Sequence, residues 1–162
     1  MKKILLMRHA KSSWKDSDLT DHERPLKKRG KKDAEKMGKM LKKKKLVPEL
    51  ILSSTAERAK QTAEIIVDSC KCKAEIVLLD SLYLAEPSLI LEMIEDIKDK
   101  HKTIMVVGHN PGMEAFLQIL DGKVESLPTG SVAYLSAKVK NWKDLAEDDG
   151  VKLKKLWRPK DL

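Results

Sequence analysis

Hydrophobic positions along the 162-residue chain fall into two alternating patterns. Short apolar runs recur at about 3–8, 50–53, 75–79, 103–107 and 131–138, and each reads as a strand. Most of the gaps between them carry apolar residues at helical spacing. A first helix is expected from near Pro25 to about Lys45, with Gly30, Ala34, Met37 and Leu41 on one narrow face. Lys27, Lys28, Lys31, Lys32, Lys39 and Lys42 fall largely outside that face. A second helix opens on Ser54-Thr55-Ala56-Glu57, the spacing of a capping box, and runs to about Ser69. A third follows Pro87 and buries Ile90, Met93, Ile94 and Ile97. A fourth starts at Asn110-Pro111, an N-cap followed by proline at the first helical position, and carries Phe116, Leu117 and Leu120. Asn141 to Gly150 is rich in acids and reads as an exposed turn before a last strand, Val151 to Leu156. Arg158 to Leu162 reads as a surface tail. Strand alternating with helix predicts an α/β fold, a three-layer αβα sandwich around a mostly parallel central sheet. No repeat or linker divides residues 1–162, so a single domain is expected.

Composition changes this picture little. At 41% hydrophobic and 4% aromatic, the chain must build its core mainly from Leu, Ile, Val, Met and Ala. The net charge of +8 comes from 33 basic against 25 acidic residues. Lys-rich solvated helix faces account for it, although such a charge also suits acidic partners. Trp14, Trp142, Trp157, Phe116, Tyr83 and Tyr134 are scattered rather than interleaved with the Lys runs, so nucleic acid is not an expected partner. The apolar stretch Ile4–Met7 is far shorter than the roughly 7–15 residues of a secretory signal. No run approaches the roughly 20 residues of a membrane helix, so no membrane partner is expected and the expected location is cytoplasmic. Cys70 and Cys72 have no complementary Cys or His pair, and free thiols are expected, with no required metal or cofactor.

The chemistry-bearing residues sit where strands end. Arg8-His9 leaves the first apolar run, and His109 leaves the run Thr103–Val107 through Gly108. Open α/β sheets build their ligand sites at strand carboxyl ends. Arg58 lies one residue past the capping box, in the first turn of the second helix, where backbone N–H groups and the helix dipole favour an anion. A guanidinium there adds a planar fork for phosphate oxygens, and Arg8 could supply another. Neutral His9 could attack phosphorus and carry the phosphoryl group, while a protonated His109 would stabilise oxygen charge. The phosphate-binding signatures G-x-x-x-x-G-K-[ST] and G-x-G-x-x-G and the G-x-S-x-G nucleophile elbow are missing.

Arg8-His9, Ser53-x-x-x-x-Arg58-Ala59-x-Gln61-Thr62-Ala63 and Gly108-His109-Asn110-Pro111-Gly112, in that order, resemble the histidine phosphatase superfamily with its phosphoglycerate mutase-like fold. Arg24-Pro25-Leu26-x-x-x-Gly30, Leu82-Tyr83 and the closing Pro159-x-Asp161-Leu162 resemble its small SixA-type branch of phosphohistidine phosphatases. The resemblance implies that His9 is the phosphorylated nucleophile and that Arg8, Arg58 and His109 form the phosphate pocket. Against the mutase pattern R-H-G-E-S-x-W-N, Ala10, Lys11 and Lys15 depart, while Ser12 and Trp14 match. Lys15 is a candidate phosphate contact. Glu86 is the carboxylate nearest the place where larger relatives carry their general acid, and an acidic residue beginning the third helix explains it equally well. Asp16, Asp18 and Asp21 are further candidates for that acid, although Asp21 could equally fix its loop by bonding its own backbone.

The reading is therefore a metal-independent phosphatase acting through a phosphohistidine intermediate. The expected substrate is a phosphorylated protein, phosphohistidine on a phosphotransfer protein first. Two alternatives stand beside it: a phosphatase for a small phosphate ester, and a phosphate- or nucleic-acid-binding module that does not turn over.

Overall fold

The computed structural model describes residues 1–162. Its elements are β1 (Lys2–Arg8), α1 (Lys28–Lys43), β2 (Leu50–Ser54), α2 (Glu57–Cys70), β3 (Glu75–Leu79), α3 (Pro87–Glu95), β4 (Thr103–Gly108), α4 (Gly112–Asp121), β5 (Val132–Ala137) and β6 (Lys152–Trp157). Short 3-10 turns occupy Asp80–Leu82, Trp142–Glu147 and Pro159–Asp161. The six strands form one sheet in the order β3-β2-β4-β1-β5-β6. β3, β2, β4 and β1 run parallel, whereas β5 pairs antiparallel with both β1 and β6. The sheet is thus mostly parallel, with an antiparallel flank.

Ile4, Leu5, Leu6 and Met7 are all fully buried, because β1 lies inside the sheet with both faces covered. Their alternation divides the core. Ile4 and Leu6, with Leu52 and Val106, face α3 and α4 through Ile94, Met113 and Phe116. Leu5 and Met7, with Ile51 and Met105, face α1 and α2 through Met37, Leu41, Ala63 and Ile66. This is the expected αβα sandwich.

Two segments differ from expectation. The supposed exposed turn at 141–150 contributes Trp142 and Leu145 to the core, three residues apart on one side of a 3-10 turn. Trp142 is anchored there by Nε1–H donation to the His101 carbonyl at 2.8 Å. The first helix begins at Lys28, three residues beyond Pro25. Pro25 and Leu26 instead line up against the segment after β1, where Ser12 bridges to Leu26.

α1 approaches that segment so closely that a Cβ at Gly30 would overlap the Lys11 carbonyl oxygen. Gly→Ala inside a helix is worth up to about 1 kcal/mol of stability. Overpacking against immovable backbone costs about 1–3 kcal/mol, so the clash should win. Gly30→Ala is therefore expected to lower the urea midpoint, and an unchanged or raised midpoint would show that α1 can shift away from Lys11.

Candidate active site

Parallel pairing aligns Arg8 with Gly108 and Val107 with Ser53, so β1, β4 and β2 deliver His9, His109 and Ser54 to one edge of the sheet. His9 and His109 are both buried, with ring centroids 5.0 Å apart. Backbone bonds hold the His9 loop from two directions: His9 N–H donates to the Gly108 carbonyl at 3.1 Å, and Gly130 N–H donates to the His9 carbonyl at 2.9 Å. Thr62 joins this loop to α2, accepting from Ala10 N–H at 3.0 Å and donating to the Arg58 carbonyl at 2.7 Å.

The tautomer of His9 follows from its neighbours. His9 Nδ1 lies 2.7 Å from the Ala10 carbonyl, which can only accept, so the ring proton sits on Nδ1. Nε2 then carries the lone pair, and Arg58 Nε–H points at it from 3.4 Å. The same logic applies to His109. Arg58 Nη2–H faces its Nδ1 at 3.4 Å, leaving the proton on Nε2, 2.8 Å from Ser54 Oγ. Burial, helped by Arg58, Arg8 and Arg24, pushes His9 down to about 4 despite the Ala10 bond. Burial, together with His9 and Arg58, pushes His109 down to about 3 despite Asp21. Both imidazoles are therefore neutral near pH 7, and His109, its one N–H engaged by Ser54, brings no positive charge to the pocket.

The pocket around them, about 330 Å³, is lined by Arg8, Lys11, Arg24, Lys27 and Arg58 and by no carboxylate. Asn110 and Thr129 add neutral polar groups. Arg8 donates Nη1–H to the Leu127 carbonyl at 3.1 Å, while its buried Nε–H lacks a partner. Such a cluster suits a phosphate dianion, whose oxygens can accept from several guanidinium forks at once. No three His, Cys, Asp or Glu side chains converge into a group that could hold a metal ion.

Asp21 stands behind the pocket. Its carboxylate accepts from Arg24 Nη1 at 2.8 Å, from Arg58 Nη2 at 3.1 Å and from the Tyr83 hydroxyl at 2.5 Å. Its backbone carbonyl accepts from Arg58 Nη1 at 2.7 Å. Arg24 also donates to Ser12 Oγ and the Ser13 carbonyl, and lies flat on Trp14 with Cζ 3.2 Å from the ring centre. The Tyr83 bond, then those of Arg24 and Arg58, hold the Asp21 carboxyl down to about 2.

The structure brings together Arg8, His9, Arg58 and His109 but not every candidate. Glu86 is exposed at the start of α3 and lines no part of the pocket; after Leu84, at φ 55°, the rim is formed by Leu84 itself. Lys15 is exposed and outside the lining, where Lys11 and Lys27 stand instead. Asp16 and Asp18 are exposed and bonded to each other. Asp21 bonds arginines rather than its own backbone, and at about 2 it cannot deliver a proton near neutrality. The capping box does not form either: α2 starts at Glu57 without a side-chain cap. Ser54 Oγ instead accepts from Ala56 N–H at 3.1 Å and turns to His109. Arg24, Tyr83, Asn110 and Thr129 were given no role from sequence, although the Asp21–Arg24 spacing and the Arg24-Pro25 motif are visible signals for two of the partners.

A histidine whose pKa is depressed by folding binds fewer protons in the native than in the unfolded state. Stability is therefore lost as pH falls from the unfolded value of about 6.5 toward the folded value. Imidazole NMR titration should place His9 near 4, and unfolding midpoints should fall between pH 6.5 and that value. A His9 titration at 6.5 would contradict the burial argument. Asp21→Asn keeps the shape but removes the charge that holds two guanidiniums. It should lower aryl phosphate kcat/KM by roughly ten- to a hundredfold through misplacement alone; an unchanged kcat/KM would show that the arginines hold themselves.

The sequence profile of the histidine phosphatase superfamily (branch 1) matches residues 4–83. An uncharacterised chloroplastic protein of Arabidopsis thaliana is 35% identical over 98% of this chain and 78% of its own length. An uncharacterised protein of Mycobacterium tuberculosis is 35% identical over 86% of this chain and 91% of its own. The protein assigned as phosphohistidine phosphatase SixA from Agrobacterium tumefaciens superposes with a TM-score of 0.84 at 28% identity, covering 98% of both chains. Its counterpart from Nakamurella multipartitia gives 0.86 at 25% identity, covering 98% of this chain and 96% of that one. With the paired histidines, the guanidinium pocket and these likenesses together, this chain belongs to the histidine phosphatase superfamily, is of the SixA type, and is a phosphatase.

Proposed function

We propose that this phosphatase removes phosphate from phosphohistidine on proteins, with His9 as the transiently phosphorylated nucleophile. The absence of any carboxylate from the pocket lining carries this reading. An alkoxide, the leaving group of a serine or sugar ester, needs a proton as its bond breaks. No lining carboxyl group can give one here. The imidazole of a phosphohistidine takes its proton from solvent on the other ring nitrogen beforehand, and then leaves as a neutral amine.

In the first step the Nε2 lone pair of His9 forms a bond to phosphorus while the bond from phosphorus to the substrate nitrogen breaks. One P–N bond replaces another, so little driving force is needed. Arg8 and Arg58 face the oxygens on which charge is spread, the largest contribution that such a site can offer. Water then attacks the phosphorylated His9, phosphate departs, and the ring returns to its Nδ1–H form against Ala10. The two arginines that hold phosphate in the first step also hold it in the second.

The test compares phosphate release from a phosphohistidine protein, aryl phosphates and phosphoserine, with chelator present. Rates should rank in that order, and among aryl esters should fall steeply as the phenol becomes more basic. Brisk phosphoserine hydrolysis would overturn the argument from the missing acid. His9→Ala should lose at least about a thousandfold in rate and all covalent labelling by the phosphoryl group. Release that survives this substitution would remove His9 from its role.

A further inference from the structure

At Lys11 and Thr129 the catalytic pocket adjoins a second hollow of about 240 Å³, bounded by α1 and the Arg158–Lys160 turn. That hollow shares Arg29, Asp33, Pro159 and Lys160 with a third of about 600 Å³, which continues along α1 to Lys36. The three form one groove leading away from His9. Beyond the pocket its charged side chains are cations (Lys28, Arg29, Lys32, Lys36, Arg158 and Lys160) except for Asp33. Asp33 is largely buried and paired with Arg29 at 3.8 Å, and Arg158 is paired with Glu125 outside the groove at 3.8 Å, which leaves Lys28, Lys32, Lys36 and Lys160 as its unpaired cations.

This arrangement runs against the ordinary rules for a helix. α1 has no side-chain cap and no acid in its first turn, yet Lys28, Arg29, Lys31 and Lys32 crowd its positive end. Lys28, Lys32 and Lys36 stack at four-residue spacing, where like charges repel. Further along the same helix ordinary pairing returns, with Lys39 on Glu35 at 2.8 Å. The cations are thus concentrated where helix stability argues against them, and on the side that faces the groove. No aromatic side chain lines the second or third hollow, so nucleic acid bases would find no stacking platform there. From Lys28 to Lys36 the helix rises about 12 Å, the reach of about four extended residues.

We propose that this groove docks an acidic segment of the protein substrate while its phosphohistidine occupies the catalytic pocket. The inference rests on the substrate reading given above and names what lies beside the phosphorylated residue. Opposite charges along the groove would speed encounter and set the register of the chain entering the pocket.

Two synthetic peptides test it, each with one phosphohistidine flanked by either glutamates or glutamines. Wild-type kcat/KM should be about tenfold higher on the glutamate peptide, the sum of a few exposed ion pairs. Lys32→Glu combined with Lys36→Glu should erase that advantage and leave aryl phosphate kinetics unchanged. Both positions are exposed, on the second and third turns of α1, so the variant should fold normally. Equal wild-type kcat/KM for the two peptides, or an advantage that survives in the variant, would overturn the groove. So would a single-stranded oligonucleotide that inhibits aryl phosphate hydrolysis at lower concentration than the unphosphorylated glutamate peptide. If neither phosphopeptide is hydrolysed while the aryl ester is, the substrate reading fails by itself. Competition by the unphosphorylated glutamate peptide against the aryl ester, present in wild type and absent in the variant, would still establish the groove, and its absence in both would overturn it.

Discussion

His9 keeps the lone pair on its Nε2 while Arg8, Arg24 and Arg58 crowd around it. The rest of this structure follows from that constraint. Proximity of guanidiniums and burial act in the same direction on His9, and together they keep it neutral with Nε2 free. Burial comes from placing it at the end of a strand covered on both faces, and tautomer choice comes from one carbonyl, that of Ala10. The electrostatic penalty on a charged histidine is thus what leaves the lone pair of His9 free. The same cations are left facing a pocket without counter-charge, which is what a dianion supplies.

Asp21 resolves a second conflict. Five cations in one pocket repel each other, and two of them are anchored by a carboxylate that does not enter the pocket. Tyr83 caps that carboxylate from the far side and stands edge-on to His109. The charge that could have served as a proton donor is spent on orienting arginines, and its pKa falls out of the useful range as a direct result. The low pKa of Asp21 and the fixed positions of Arg24 and Arg58 are therefore two consequences of one placement.

Much of this was legible in the residues. Each strand run falls within a residue or two of the observed strand, most clearly at β1, β2 and β4, because buried parallel strands are nearly continuous in apolar character. Arg8, His9 and His109 were visible because they terminate such runs. What stayed hidden depended on contacts distant in sequence. Trp142 lies in an acid-rich stretch, and only its packing against the α3 side of the sheet distinguishes it from a surface residue. Arg24 and Asp21 belong to a loop without periodicity, and Arg58, the second arginine on Asp21, is more than thirty positions away. Glu86 is close to the pocket in sequence, but one left-handed residue, Leu84, decides which side chain forms the rim.

Two departures from local helix rules point the same way. Ser54 occupies a capping position and does not complete the capping box, because its hydroxyl is engaged with His109. Lys27 and Lys28 occupy the start of α1, where an acid or a small hydroxyl would be more stable. Neither choice improves the helix that carries it. Conflicts between local propensity and the residue present are expected to gather where function outweighs stability. Here one lies at the paired imidazoles of His9 and His109 and the other along the basic groove beside them. The surplus lysines of this chain are thus not all alike: Lys39 on the far turns of α1 pairs with Glu35 as on a solvated face, whereas Lys28, Lys32 and Lys36 line the groove with Asp33, itself paired with Arg29, as the one acidic side chain among them.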